Sequence, residues 1–69
     1  MGVRIEVEQE DDGRWLAEIP LLPGCMAYGV DRKEAVRAVE ILALQILADR
    51  VAASEELPPE FSSMFQVAA

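Results

Sequence analysis

The side chains that could carry chemistry are few, and the densest group is the carboxylate run Glu10-Asp11-Asp12. Oxygen ligands of this kind suit Mg²⁺ or Ca²⁺, but the run lacks the ligand spacing of a calcium loop. Gly13 follows it directly, and an Asp-Gly pair supplies the positive φ that a tight hairpin turn needs. A solvated hairpin tip is therefore the favoured interpretation, and we predict no metal site.

Nucleophilic catalysis has little support in the sequence. Cys25 is the single cysteine and the chain has no histidine, so neither a Cys-His nor a Ser-His pair can form. The same composition excludes an intrachain disulfide and the common zinc-binding patterns. We interpret Cys25 as a small buried apolar residue, and we predict no catalytic residue and no cofactor.

The charge of the chain narrows its possible partners. The sequence has 13 Asp and Glu against 6 Lys and Arg, for a formal net charge of −7. Nucleic acid and anionic membrane surfaces both attract basic proteins, so neither is an expected partner. A basic protein is the partner that this charge favours, and carboxylates that only keep the chain soluble are the alternative.

The acidic residues are concentrated in the first hairpin. Val3 to Glu8 and Arg14 to Ile19 alternate apolar and polar side chains with period two, as half-buried strands do. Leu16 breaks this alternation, which suggests that a partner covers it. If a helix covers the apolar rows, the acidic face stays free for a basic protein. The residues predicted to bind that protein are Glu6, Glu8, Glu10, Asp11 and Asp12.

The remaining segments complete an α+β pattern over a single domain, residues 1–69. Cys25 to Val30 is predicted to be a third strand, and Asp31 caps a helix from about Arg32 to Ala53. Pro58-Pro59 prevents continuation of the helix, and Ser63 to Val67 alternates like a short strand. The predicted order is β-β-β-α-β: an antiparallel meander, one long helix on one sheet face, and a strand added after the helix.

The helix carries more apolar residues than one face requires. Its main stripe has the three-and-four spacing of a helix packed on a sheet and consists of Ala35, Val36, Val39, Leu42, Ala43, Ile46 and Leu47. A second strip lies beside it and consists of Ile41, Leu44, Ala48 and Val51. The second strip predicts an oligomer contact; a broad core face with scattered exposed aliphatic residues explains it equally well.

The length of the chain also favours self-association. A chain of 69 residues buries only a small core, and a domain of this size usually needs a disulfide, a metal or an oligomer contact to be stable. Of these three, the composition permits the oligomer. Because the sequence has no signal-peptide pattern and no apolar run of about 18 residues, we expect a cytoplasmic protein.

Several motifs resemble the N-terminal domain of the HicB-type antitoxins. The residues that carry the resemblance are Asp12-Gly13, Trp15, Pro20, Pro23-Gly24-Cys25, Gly29, Asp31, Glu34-Ala35 and Leu57-Pro58-Pro59. Either Trp15 lies one position beyond the aromatic site of the family pattern, or Arg14 is an insertion in the turn. The resemblance covers nearly the whole chain.

The resemblance implies a function in protein binding. Domains of this family have a β-β-β-α-β fold related to a reduced ribonuclease-H-like unit that lacks the catalytic carboxylates. They bind HicA, a small basic toxin that cleaves mRNA, and mask its active site. Many members carry a further DNA-binding domain, which we do not expect here. Two alternatives remain open: a stand-alone homo-oligomeric domain with no toxin, and a remnant of a metal-dependent nuclease.

Overall fold

The computed structural model of the protein describes residues 2–68, and it has the α+β architecture of a small sheet covered by a long helix. Three strands form one antiparallel sheet in the order β1-β2-β3. Their bounds are β1 Glu6–Gln9, β2 Trp15–Glu18 and β3 Met26–Gly29, and the helices are α1 Arg32–Ala52 and α2 Pro59–Ser62. The predicted meander and the predicted long helix are both confirmed.

The first hairpin forms because Gly13 adopts a φ of 91°, which costs a glycine little. The Gly13 amide donates to the Glu10 carbonyl at 3.0 Å, and the Glu10 amide donates to the Arg14 carbonyl at 2.7 Å. This turn places Glu6 opposite Glu18 and Glu8 opposite Leu16. The paired region is shorter than the alternation predicts, since Val3 and Ile5 lie before β1 but still pack against the core.

The connection between β2 and β3 is a pair of tight turns that carries a core residue. The Leu22 amide donates to the Ile19 carbonyl at 3.0 Å, and the Cys25 amide donates to the Leu22 carbonyl at 2.9 Å. Gly24, with a φ of 83°, completes the second turn. These bonds hold the Leu22 side chain inside the core, where it is 1 % exposed.

Helix α1 begins at the predicted cap. The carboxylate of Asp31 accepts a hydrogen bond from the Glu34 amide at 2.7 Å, which satisfies a free N–H of the first turn. The helix buries the side chains of Ala35, Val39, Ala43 and Leu47. A helix of 21 residues is about 32 Å long, whereas a strand of 4 residues spans about 13 Å. The sheet therefore cannot cover the C-terminal third of α1.

Gly29 lets the helix approach the sheet closely. A Cβ atom at this position would lie 2.9 Å from Ala35 Cα and 2.9 Å from the Glu34 carbonyl carbon. Both are backbone atoms of the first turn of α1, so neither can move aside like a flexible side chain. The absence of a side chain at Gly29 is therefore what sets the spacing between β3 and α1.

The chain after α1 does not form the strand predicted over residues 63–67. Pro59 instead occupies the first turn of α2, a position that suits proline, and Phe61 is buried in the core. The Ser63 and Met64 amides donate back to Pro59 and Phe61 at 3.4 Å and 3.1 Å. These two amides bond within their own turn, and both sheet edges are unpaired in the part of the chain that the structure describes.

Candidate functional site

The sheet face opposite α1 is uncovered, and we call it the outer face. Across the three strands together, the alternation of side chains places three acidic and three apolar residues on this side. The register aligns them in two rows across the three strands. The outer face consists of Glu6, Glu18 and Met26 in one row and Glu8, Leu16 and Tyr28 in the other.

Two carboxylates lie at directly opposed positions on the outer face, and Glu8 lies two residues from one of them on β1. Glu6 lies directly opposite Glu18, and like charges at opposed positions of an antiparallel pair destabilise it. Arg4 Nε lies 3.3 Å from Glu6 Oε2, but the two side chains are 81 % and 48 % exposed, so this ion pair contributes little. The arrangement favours the approach of a basic side chain from another protein.

Arg14, at one end of the outer face, is already engaged by its own hairpin. Its Nε lies 2.7 Å from Asp12 Oδ2, and its guanidinium lies 4.4 Å from the centroid of the Tyr28 ring. The Arg14 backbone amide and guanidinium together lower the pKa of Asp12. Arg14 is thus held at the tip of the hairpin, and Asp12 has a cation of its own.

The structure divides the five carboxylates that the sequence predicts to bind a partner. Glu6 and Glu8 lie on the outer face, whereas Glu10, Asp11 and Asp12 lie on the turn that links β1 to β2. The prediction did not include Glu18, whose place opposite Glu6 depends on the strand register.

The apolar part of the outer face also includes residues, Met26 and Tyr28, that the sequence did not predict to bind a partner. Met26 and Tyr28 are 44 % and 47 % exposed, and Leu16 lies between Glu8 and Tyr28 in its row. The broken alternation at Leu16 was the one signal in the sequence for these residues. An aromatic ring and a thioether with carboxylates on one side suit a protein surface that has both basic and apolar side chains.

A second uncovered surface lies on the C-terminal half of α1 and on the segment after it. A groove between these two parts has no charged residue in its lining. We call this surface the distal apolar face. It is formed by Leu44, Leu47, Ala48, Val51, Ala52, Leu57, Met64 and Phe65.

Three of the four predicted oligomer-contact residues, Leu44, Ala48 and Val51, belong to the distal apolar face. Ile41 is 51 % exposed and lies on α1 outside the groove. Leu57, Met64 and Phe65 also line the groove, although the alternation of residues 63–67 predicted a strand for Met64 and Phe65.

The lone cysteine is inaccessible, and the carboxylates of the described residues do not cluster as metal ligands. Cys25 is fully buried, and burial raises the pKa of its thiol, so the reactive thiolate is disfavoured. Within residues 2–68, no three His, Cys, Asp or Glu side chains converge as metal ligands would.

Across the same residues, no helix has both the length and the apolar character to cross a bilayer.

Comparison with known proteins adds no assignment, since no family model matches the sequence and neither a curated protein nor a solved structure is significantly similar to it.

Proposed function

We propose that this chain is an antitoxin-like protein-binding module that binds and masks a small basic toxin of the HicA type, which cleaves mRNA. The observation that carries the proposal is the outer face, where Glu6, Glu8 and Glu18 lie beside the exposed apolar side chains of Met26 and Tyr28. The motif resemblance to the HicB-type antitoxins supplies the class of partner. The predicted last strand is not required.

In this mechanism, the chain competes with RNA for the Lys and Arg side chains of the toxin. An RNA-cleaving protein binds phosphates through Lys and Arg side chains. Glu6, Glu8 and Glu18 present carboxylates to the same side chains, and charge complementarity of this kind accelerates encounter and sets orientation. Leu16, Met26 and Tyr28 add apolar contact that excludes water from the carboxylates and strengthens their interaction with the toxin. Masking in this way needs no metal and no cofactor.

The test begins with the product of the adjacent reading frame, where that frame encodes a small basic protein. The two proteins are co-purified, and the RNA-cleaving activity of the basic protein is assayed with and without the present chain. We expect a stable complex in which cleavage stops. Persistent cleavage in the presence of excess chain would contradict masking, and the absence of a complex would contradict the choice of partner.

Charge reversal tests the outer face itself. The double variant Glu6→Lys, Glu18→Lys is expected to weaken toxin binding by roughly 100-fold, because it replaces attraction by repulsion at opposed positions. The matched control Glu55→Lys, Glu56→Lys makes the same change in net charge in the segment after α1. Isothermal titration calorimetry measures both affinities. An equal loss in the two variants would show that net charge, not the outer face, governs binding.

A further inference from the structure

The chain exposes more surface than a compact monomer of its mass. Its accessible surface is 5268 Å², whereas a folded monomer of 7.6 kDa exposes roughly 4,300 Å². Its radius of gyration is 13.8 Å, against about 11 Å for a compact domain of this length. The excess of roughly 1,000 Å² is similar to the ~800 Å² that each partner buries in a standard protein interface.

The distal apolar face contributes large apolar side chains to this exposed surface. Leu44, Val51, Met64 and Phe65 are 64 %, 58 %, 55 % and 76 % exposed, and they border one continuous groove. The sheet is too short to cover this part of α1, and α2 places only Phe61 in the core. The chain therefore leaves a grouped set of large apolar side chains in contact with water, which is unfavourable for a lone small domain.

The geometry points to a second copy of this chain as the occupant: we propose that two copies associate through their distal apolar faces about a twofold axis. A twofold interface must be self-complementary. This face has both a groove and projecting side chains, so Leu44 and Phe65 of one copy can enter the groove of the other.

The distribution of charge also favours a contact between two copies through the distal apolar face. Each copy carries a net charge of −7, so contact through the acidic outer faces would oppose carboxylates directly. The groove of the distal apolar face is lined only by uncharged side chains. Association there buries apolar surface and leaves the carboxylates of both outer faces in solvent, available to another partner.

Sedimentation velocity of the full chain over a concentration series tests the proposal. We expect the wild type to sediment at twice the 7.6 kDa chain mass. The variants Leu44→Glu and Phe65→Glu are each expected to weaken the dimer by roughly 100-fold or more, because they bury a charge at the centre of the contact. Val30→Glu is the matched control, since Val30 is 75 % exposed and lies between β3 and α1.

Each outcome is decisive. A wild type that remains monomeric up to about 100 μM, a concentration at which even a weak specific dimer forms, overturns the proposal. A dimer that tolerates both Leu44→Glu and Phe65→Glu overturns the choice of face. Phe65 lies outside the core, so Phe65→Glu stays informative even if Leu44→Glu perturbs folding, which circular dichroism reports.

Failure of this proposal is distinguishable from failure of the toxin proposal. Leu44→Glu is expected to retain the affinity for a toxin measured per chain, and Glu6→Lys, Glu18→Lys is expected to retain the dimer.

Discussion

The outer face and the distal apolar face are both uncovered, but they differ in chemistry and in origin. The outer face lies on a regular sheet, and its charges come from strand residues that alternation sends away from the core. The distal apolar face exists because α1 is longer than the sheet beneath it and because residues 57–65 run alongside the overhang. The first is suited to a basic partner and the second to an apolar surface on its partner. A small domain can thus present two separate surfaces from a single helix-on-sheet core.

The largest expected effect comes from disturbing the contact between β3 and α1, on which both faces depend. Gly29→Ala would place a Cβ 2.9 Å from Ala35 Cα, and overpacking against backbone costs about 3 kcal/mol. Urea denaturation followed by Trp15 fluorescence measures the loss of unfolding free energy. Gly2→Ala is the control, since nothing lies within 4 Å of a Cβ at that position. Equal stability of the two variants would show that β3 and α1 are less closely packed than the structure has them.

An intermediate effect separates the two faces by their response to salt. Raising NaCl from about 50 mM to about 500 mM is expected to weaken binding of a basic toxin roughly 10-fold, because screening reduces the attraction between exposed charges. The homodimer is expected to become tighter over the same range, since screening reduces the repulsion between two chains of charge −7. Calorimetry and sedimentation measure the two trends. Trends of the same sign would remove the electrostatic distinction between the faces.

The smallest expected effect concerns the C-terminal end of α1, beside the distal apolar face. Ser54 follows α1 with a φ of 60°, and the Glu55 amide closes the helix end on the Arg50 carbonyl at 2.9 Å. Ser54→Gly should stabilise the chain by up to about 1 kcal/mol, because glycine adopts positive φ without strain. Thermal unfolding measures this gain. Ser62→Gly is the control. Because Ser62 lies in α2, this variant is expected to be less stable than the wild type. A destabilised Ser54→Gly variant would contradict the assigned helix end.

Local patterns predicted the elements well where the cause is local. The alternation in the first hairpin, the Asp12-Gly13 turn and the Asp31 cap depend on residues within a few positions of each other, and the structure has all of them. The strand over residues 63–67 failed for the opposite reason. Its alternation is real, but Pro59 begins α2 and Phe61 is drawn into the core, so the chain turns before it can reach a sheet edge.

The candidate surfaces show the same division. Alternation indicated that Glu6 and Glu8 share a side of the hairpin, and helical spacing grouped Leu44, Ala48 and Val51. Neither pattern shows which residues stand opposite each other or where the sheet stops. Tyr28 joined the outer face through strand register, and Phe65 joined the distal apolar face through the path of the chain after α2.

The sequence by itself determined the acidic charge, the three strands, the long helix and the lack of a histidine or a cysteine pair, because these depend on composition and on neighbours along the chain. Only the tertiary structure decided which surfaces stay uncovered. That outcome depends on the length of α1 relative to the sheet and on the close approach at Gly29. It also depends on the burial of Phe61, since each of these brings together residues that are distant in the chain.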